Sequence, residues 1–256
     1  MRVALLGDTH GNELWLYEAT NVFAGAGLTT IIQVGDLGVM IGAAGRDMWD
    51  RVDERLARNG QTMLVAPGNH ENYDVIDELE ANADGWLVLR ERILLAPRGH
   101  RTVMGGRSFV WLGGAASVDR RWRRKAAPVR GKTWWEQEVL TDADVAAVVA
   151  DGHADIMVAH DAPHGVPTIE ENMRRTRAAF APEDLMYAHY SRSAFTTAFE
   201  AVKPDVLLHG HFHFPVDEPV DFDGFETRVF GLSKDGDPYS LGVLDLSSEP
   251  LRPDFL

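Results

Sequence analysis

The 256-residue sequence contains no cysteine. This absence excludes a disulfide framework, a thiolate zinc site, an iron–sulfur cluster and a thiol nucleophile. Any metal ion must therefore bind to histidine, aspartate, glutamate or asparagine side chains. A mixed set of nitrogen and oxygen ligands suits Mn, Fe, Zn or Ni better than Ca or Mg.

Long hydrophobic runs are absent as well. No stretch approaches the roughly 18 uncharged apolar residues that a membrane-spanning helix needs. The sequence begins MRVALLGDTHGN, without a basic region ahead of an apolar core, so it does not resemble a signal peptide. We therefore predict no membrane partner and a cytoplasmic location.

Basic residues are in the minority, since 25 Lys and Arg stand against 39 Asp and Glu. The net charge of −14 argues against long nucleic acids as partners, because binding a phosphate backbone needs an extended basic surface. Residues 119–135 depart from this pattern, with seven basic side chains, one acidic side chain and several tryptophans. Arginine suits phosphate and tryptophan suits bases, so the segment predicts substrate contacts. The candidates are Arg120, Arg121, Arg123 and Arg124. The alternative is a solvated loop that pairs with the protein's own acidic residues and is anchored by its tryptophans.

Short apolar runs rich in Val, Ile and Leu recur along the chain and end at turn-forming residues, as buried strands do. They lie at Val3–Leu6, Thr30–Val34, Met63–Ala66, Trp86–Leu89, Ile93–Leu95, Phe109–Leu112, Ile156–Ala159, Val206–Leu208 and Val243–Leu246. We expect the runs from Trp86 to Leu112 to be paired strands.

Helical spacing of apolar residues occurs between these runs, at Glu13–Ala26, Arg46–Asn59, Thr141–Ala150 and Ser193–Val202. The combination predicts an α/β layered fold with mixed sheets. The sequence has no internal repeat and no clear linker. We therefore predict one domain over residues 1–256, with a basic and aromatic insertion near residues 119–135.

Five polar clusters each follow a predicted strand. They are Gly7-Asp8-Thr9-His10-Gly11-Asn12, Gly35-Asp36, Gly68-Asn69-His70-Glu71, His160-Asp161 and Gly210-His211-Phe212-His213. The carboxyl ends of strands form the ligand crevice in open α/β sheets, so we expect these clusters to meet. Alternation in Asp8-x-His10 and His211-x-His213 predicts extended segments with both side chains on one side.

The pieces GDTHGN, GD, GNHE, the single His160 and GHFH, in this order over residues 7–213, resemble the calcineurin-like metallophosphoesterases. The resemblance implies a four-layer αββα sandwich, in which two mixed β-sheets lie between helices. It also implies two divalent transition metal ions per chain, Mn²⁺ first, with Fe, Zn and Ni as alternatives. One ion would be held by Asp8, His10 and His213, the second by Asn69, His160 and His211, and Asp36 would bridge both.

The same resemblance implies hydrolysis of a phosphoester by in-line attack of a hydroxide that the two metals generate. His70 would protonate the leaving oxygen, a contribution of about 10²–10⁴-fold. Asn12 would contact phosphate or cap the helix that begins at Glu13. His164 would reach the substrate or belong to a loop shaped by Pro163.

The chain departs from the protein Ser/Thr phosphatases of this superfamily. Those enzymes continue GD with a VDRG-like stretch, where this chain has Leu37-Gly38-Val39-Met40, and they carry an arginine before GNHE, where it has Ala66-Pro67. The phosphate-gripping arginines are thus missing, and Glu71 or a backbone carbonyl is left to orient His70.

We therefore favour a small nucleotide-type phosphodiester, cyclic or linear, as the substrate. The alternatives are a phosphomonoesterase acting on a protein or a small metabolite, then a nuclease or a non-catalytic interaction scaffold. No obligate protein partner is expected.

Overall fold

Two mixed β-sheets lie face to face, and helices cover their outer surfaces. The computed structural model describes residues 1–39 and 45–256. The strands, in chain order, are β1 (Arg2–Leu6), β2 (Thr30–Gln33), β3 (Thr62–Val65), β4 (Leu87–Arg90), β5 (Ile93–Leu95), β6 (Arg101–Met104), β7 (Arg107–Leu112), β8 (Ile156–Ala159), β9 (Val206–His209), β10 (Val216–Phe222), β11 (Phe225–Gly231), β12 (Leu241–Asp245) and β13 (Pro253–Phe255). The helices are α1 (Glu13–Gly25), α2 (Gly45–Arg58), α3 (Tyr73–Ile76), α4 (Arg120–Arg130), α5 (Asp142–Val149), α6 (Pro167–Thr176) and α7 (Pro182–Val202).

Parallel pairing occupies the centre of each sheet. The first sheet has the order β13-β12-β1-β2-β3-β5-β4, in which β1, β2, β3 and β5 are parallel. The second has the order β10-β11-β9-β8-β7-β6, in which β11, β9, β8 and β7 are parallel. Antiparallel strands complete both edges, so both sheets are mixed, as the sequence predicts.

Alternation along the strands divides the apolar residues into layers, because successive side chains point to opposite faces of a sheet. In β1, Ala4 and Leu6 pack in the core beneath α1 and α2, whereas Val3 and Leu5 pack between the two sheets. Strand β8 divides in the same way between the inner core and the core beneath α5 and α7. The order helix, sheet, sheet, helix confirms the αββα sandwich.

The apolar runs do not reveal which sheet each strand joins. Strands β4 and β5 form an antiparallel pair in the first sheet, as expected, but β7 lies in the second sheet between β6 and β8. All three runs are thus paired strands, as predicted, and the tertiary packing decides which strand each one pairs with. Residues 241–255 add β12 and β13 beside β1, while the assignment of residues 1–256 to one domain stays a prediction.

Helix α7 is longer than the sequence predicts. It begins at Pro182 rather than Ser193, because proline suits the first helical position and Glu183 and Asp184 place negative charge in the first turn. None of the helices in the described ranges is both long and apolar enough to cross a membrane.

Residues 119–135 contain helix α4, so the predicted loop conformation is wrong for most of this segment, whereas the predicted pairing with the protein's own acidic residues is observed. The helix is tied to the start of α7, since Arg120 pairs with Asp184 and Arg121 with Glu183. These ion pairs explain how a run of arginines remains helical.

Candidate metal centre

Five polar segments follow parallel strands and meet at one edge of the sandwich. Asp8, Asp36 and Asn69 follow β1, β2 and β3, which are neighbours in the first sheet. His160 and His211 follow β8 and β9, which are neighbours in the second sheet. The carboxyl ends of parallel strands share one edge of a sheet, and hydrogen bonds join the five segments there, among them those from the N–H of Thr9 to the oxygen of Asp36 and from the N–H of Gly210 to the oxygen of His160.

The first group of side chains consists of Asp8, His10, Asp36 and His213, whose potential ligand atoms lie within 4.8 Å of one another. His213 Nε2 lies 3.2 Å from Asp8 Oδ2, and His10 Nε2 lies 3.5 Å from Asp36 Oδ2. Both carboxylates are buried. Two carboxylates and two imidazoles form a set that suits a divalent transition metal.

The second group consists of Asn69, His160 and His211. His160 Nε2 lies 3.0 Å from Asn69 Oδ1 and 3.2 Å from Asp36 Oδ1. The rings of His160 and His211 meet edge-on, with 5.1 Å between their centroids. Asp36 therefore directs Oδ1 to the second group and Oδ2 to the first, as a carboxylate shared by two ions would.

Left-handed backbone accompanies these side chains. Among described residues other than glycine, a positive φ occurs at His10, Asp36, Lys203, His211 and His213. All of these except Lys203 belong to the two groups, and such conformations cost about 1–3 kcal/mol each and cluster at functional sites. The extended geometry predicted for Asp8-x-His10 and His211-x-His213 is therefore wrong, because turns direct the three histidines.

Two glycines allow the chain to approach the carboxylates closely. A Cβ on Gly210 would lie 2.1 Å from Asp8 Oδ1, and a Cβ on Gly68 would lie 2.2 Å from the backbone nitrogen of Asp36. Only glycine fits at either position. The backbone N–H of His211, directly after Gly210, donates to Asp8 Oδ2 at 3.0 Å.

The charges of the site show that it fits cations. Burial lowers the pKa of His10, but its contact with Asp36 and the charge of Asp8 outweigh burial and raise the pKa to about 9. Burial opposes protonation of His160 too, and Asp36 raises its pKa to about 10. Buried carboxylates thus draw positive charge into the site, which divalent ions would supply in place of protons. Burial lowers the pKa of His211 and keeps its nitrogen free to bind a metal.

The sequence model of the calcineurin-like phosphoesterases matches residues 1–215. The chain belongs to this family. It is a metallophosphoesterase, a hydrolase of a family that uses a dinuclear metal centre.

Two solved structures support the fold. The protein TT1561 of Thermus thermophilus is similar over 100% of this chain and 99% of its own, with a TM-score of 0.57 and 13% identity. A dimetal phosphatase from Danio rerio is similar over 95% of this chain and 92% of its own, with a TM-score of 0.50 and 13% identity. At this identity the similarity concerns the fold alone. No curated protein has a significant sequence match to the chain.

His10 of this phosphoesterase is oriented by Asp235, which sequence reasoning misses. His10 Nδ1 lies 3.2 Å from Asp235 Oδ1, so Nε2 faces Asp36. Asn12 Nδ2 donates to Asp235 Oδ2 at 2.8 Å, and Asn12 Oδ1 accepts the N–H of Trp15 and caps α1. Capping is thus observed for Asn12, and phosphate contact stays a prediction. The Asp235-Gly236 pair signals only a turn in the sequence.

His160 is fixed by the backbone. Its Nδ1 lies 2.8 Å from the carbonyl oxygen of Val34, to which it donates, so Nε2 is the nitrogen that faces Asn69 and Asp36.

Asn69 is held in one orientation by residues outside the sequence motifs. Its Nδ2 donates to Ser117 Oγ at 2.9 Å, and the Ser117 hydroxyl donates to Glu138 Oε2 at 2.6 Å. The hydroxyl has a single proton, so its oxygen can only accept from Asn69. Asn69 therefore turns Oδ1 toward His160. No sequence pattern around Ser117 or Glu138 signals this role.

Arg123 is hydrogen-bonded to the same network. The side chain is buried, and Nη1 donates to Ser117 Oγ at 2.7 Å while Nη2 donates to the backbone oxygen of Asn69 at 3.4 Å. A further donation goes to the backbone oxygen of Thr133. The guanidinium of Arg123 is thus engaged within the protein.

The other three arginines predicted to contact substrate bind partners outside the two metal groups. The partners are Asp184 for Arg120 (3.1 Å), Glu183 for Arg121 (3.2 Å) and the Trp134 ring for Arg124 (5.2 Å to the centroid). Substrate contact by these residues stays a prediction.

Glu71 does not orient His70, so that expectation is wrong. The Glu71 carboxylate accepts four backbone N–H groups, from Leu37 (2.7 Å), Gly38 (3.0 Å), Val39 (2.7 Å) and Gly68 (3.2 Å). It therefore joins the loop that carries Asp36 to the loop that carries Asn69. Within residues 1–39 and 45–256, no group is hydrogen-bonded to the His70 imidazole. The other predicted partner of His70, a backbone carbonyl, is therefore not found among these residues either.

His164 faces the helices rather than the two metal groups. Its backbone N–H donates to Thr196 Oγ1 at 3.0 Å, and its Nε2 lies 3.2 Å from Ser193 Oγ. The Nδ1 atom lies 3.9 Å from Glu170 Oε1. A role for His164 in substrate binding stays a prediction.

Proposed function

We propose that this phosphoesterase hydrolyses a small nucleotide-type phosphodiester, cyclic or linear, with two divalent metal ions, of which Mn²⁺ is the first candidate. The proposal rests on Asp36, whose two oxygens face different groups, 3.2 Å from His160 and 3.5 Å from His10. When bound, the ions supply positive charge that neutralises the phosphate and lowers the pKa of water. The residues that would hold them are Asp8, His10 and His213 for one ion, Asn69, His160 and His211 for the other, and Asp36 for both.

His70 holds the proton for the leaving oxygen in this proposal. Its backbone N–H donates to Asp36 Oδ1 at 2.7 Å, and its ring meets that of His10 edge-on, 5.3 Å between centroids. Burial lowers the pKa of His70, Asp36 opposes the shift, and Arg123 and His10 add to it. The negative charge of a bound phosphoester opposes this lowering and favours the protonated form that an acid needs.

The engaged arginines favour a diester over a monoester. A phosphomonoester loses its second proton near pH 6 and carries close to two negative charges at neutral pH, whereas a diester carries one. Among described arginines, the one bonded to a ligand residue is Arg123, and its guanidinium already serves Ser117, Asn69 and Thr133. A site whose ligand residues contact no uncommitted guanidinium among the described arginines matches the smaller charge.

The test compares bis(p-nitrophenyl) phosphate with p-nitrophenyl phosphate as substrates of protein stripped of metal and reloaded with Mn²⁺. We expect faster hydrolysis of the diester, and we expect Asp36→Asn to abolish both turnover and metal loading. Asp47→Asn, at an exposed position of α2, is the matched control and should retain both.

Each contrary result has a defined meaning. Faster hydrolysis of the monoester would replace the diester proposal with a phosphomonoesterase. Full activity of Asp36→Asn would reject the assignment of the metal ligands. Loss of activity in Asp47→Asn as well would show that the variants report on folding.

A further inference from the structure

A cavity of about 680 Å³ adjoins the second group of ligands. His211 lines it, and so does Asp161, which directly follows His160. Helix α6, the first half of α7 and the loop after β7 form the rest of its wall. Small-molecule sites have volumes of about 300–1,000 Å³, so the cavity is large enough for the organic part of a substrate.

The wall of the cavity is mainly apolar. Its large apolar side chains are Met173, Phe180, Leu185 and Phe212. Apolar walls do not bind phosphate, but aromatic side chains such as Phe180 bind flat rings by stacking. The cavity thus suits an aromatic group attached to a phosphate that the metal centre holds.

Polar and charged side chains also line the cavity, among them Glu170, Arg174 and Arg192, and one of them, Asp161, is a buried carboxylate. Asp161 is 4% exposed, and its Oδ1 accepts the backbone N–H of Ala162 at 2.8 Å. Its Oδ2 forms no hydrogen bond with any residue of the described ranges, and it is not enclosed. A buried polar atom gains most from a partner, so Oδ2 can accept a hydrogen bond from a ligand. Arg177 also lines the cavity at an exposed position and adds positive charge that attracts an anionic ester.

We propose that the cavity binds a flat heteroaromatic group on one ester arm of the substrate, and that an N–H of this group donates to Asp161. The inference rests on the proposed function, because a diester held at the metal centre must place its ester arms in the surrounding space. The cavity beside His211 provides apolar space of the right size there. A nucleobase with an N–H donor has both required features.

Two substrates with the same reacting bond separate this proposal from the activity itself. Thymidine 5′-(p-nitrophenyl phosphate) and methyl p-nitrophenyl phosphate both release p-nitrophenol and differ in the second ester arm. We expect Phe180→Ala to raise KM for the thymidine ester roughly 5- to 150-fold, as loss of a base-stacking ring does, and KM for the methyl ester less than about twofold. Tyr190→Ala removes an exposed aromatic ring of α7 outside the cavity and should change neither KM.

Two further measurements test the cavity without truncating Phe180. Ala188→Trp fills the cavity from α7 and should raise KM for the thymidine ester alone. The N3-methylthymidine ester lacks the N–H donor, so wild-type KM should rise about tenfold, the effect of leaving a buried acceptor unpaired.

Calorimetric titration of the metal-loaded protein with thymidine 5′-monophosphate gives a readout that does not depend on turnover. Absence of hydrolysis of both esters by wild type would reject the proposed diesterase activity. Weaker binding of thymidine 5′-monophosphate by Phe180→Ala would support the cavity proposal even in that case. Hydrolysis of the methyl ester, with KM and Kd unchanged in Phe180→Ala and Ala188→Trp, would overturn the cavity proposal and leave the function standing. Equal KM increases for both esters would overturn it as well.

Discussion

Reversing a single hydrogen bond beneath the metal centre should weaken one metal site selectively. Glu138 Oε1 accepts the backbone N–H of Ser117 at 2.8 Å and the Tyr187 hydroxyl at 3.0 Å, while Oε2 accepts the Ser117 hydroxyl at 2.6 Å. In Glu138→Gln the amide oxygen takes the place of Oε1, because an oxygen must accept the Ser117 N–H there. The amide nitrogen then faces Ser117 Oγ and donates to it.

The reversed hydrogen bond also changes the orientation of the Asn69 amide. The Ser117 proton loses its acceptor, and Arg123, the other group bonded to Ser117 Oγ, is itself a donor. The proton finds an acceptor only if the Asn69 amide turns over, so that Oδ1 faces Ser117 and Nδ2 faces His160. An amide nitrogen is not a metal ligand, and the second group then loses one of its oxygen atoms.

The size of the effect follows from the bond that is lost. Hydrogen bonds to charged groups contribute about 1.5–3 kcal/mol, and each 1.4 kcal/mol is about tenfold in an equilibrium constant. Loss of the partners that orient metal ligands costs about 10–100-fold in metal affinity. The two values agree, so we expect Glu138→Gln to weaken one metal-binding step about 10–100-fold.

The assay is calorimetric titration of the metal-free protein with Mn²⁺, together with turnover of bis(p-nitrophenyl) phosphate as a function of Mn²⁺ concentration. One binding step should weaken and the other should keep its affinity. Ser117→Ala removes the acceptor without reversing it and should have a smaller effect. Glu136→Gln makes the same chemical change at an exposed position of the same turn and serves as the control. Two unchanged binding steps in a folded Glu138→Gln protein would refute the reasoning.

Three further predictions concern the neighbouring polar groups. Glu71→Gln leaves two of the four buried N–H groups that the carboxylate accepts facing an amide nitrogen. The free energy of unfolding, measured in urea, should therefore fall by about 2–6 kcal/mol. The control Glu78→Gln, at an exposed position, should match wild type. Asp235→Asn disturbs the orientation of His10 and should weaken a metal-binding step about 10–100-fold in calorimetry. A metal affinity equal to that of the exposed control Asp223→Asn would contradict the role of Asp235 in orienting His10. The pKa of His70 is lowered by burial and, despite the opposing charge of Asp36, lies below its usual value of 6.5. An acid must be protonated to act, so kcat/KM for alkyl diesters should fall as pH rises through this pKa, and His70→Ala should remove that limb while sparing p-nitrophenyl esters. Equal losses on both substrate types would remove His70 from the acid role.

The sequence predicts the ends of the strands particularly well. Each motif is a short run in which an apolar strand stops at glycine and a polar side chain, so strand position and residue type are encoded together. The convergence of Asp8, Asp36 and Asn69 follows from the rule that parallel strands of one sheet end at a shared edge, since they follow the neighbouring strands β1, β2 and β3. The αββα layers are implied by the family resemblance, and the structure divides the residues of each strand between two cores.

Geometry within the motifs is less predictable. Alternation in Asp8-x-His10 indicates an extended segment, but His10 has a φ of 48°. Contacts made across the fold stabilise this turn, among them the bond from His10 to Asp235, 225 positions away. Glu71 shows the same limit, since its place beside His70 in the sequence suggests a partner that the folded chain does not provide.

The sequence by itself thus determined the family and the polar segments that end the strands, because both depend on local patterns of apolar and polar residues, and the resemblance to the family implied the αββα layers. The tertiary structure alone decided what orients those side chains. Asp235, Ser117, Glu138 and Arg123 carry no motif, and they act through hydrogen bonds whose donors and acceptors are brought together only when the two sheets pack. Such bonds depend on distances of about 3 Å between residues far apart in the chain, which no local pattern specifies.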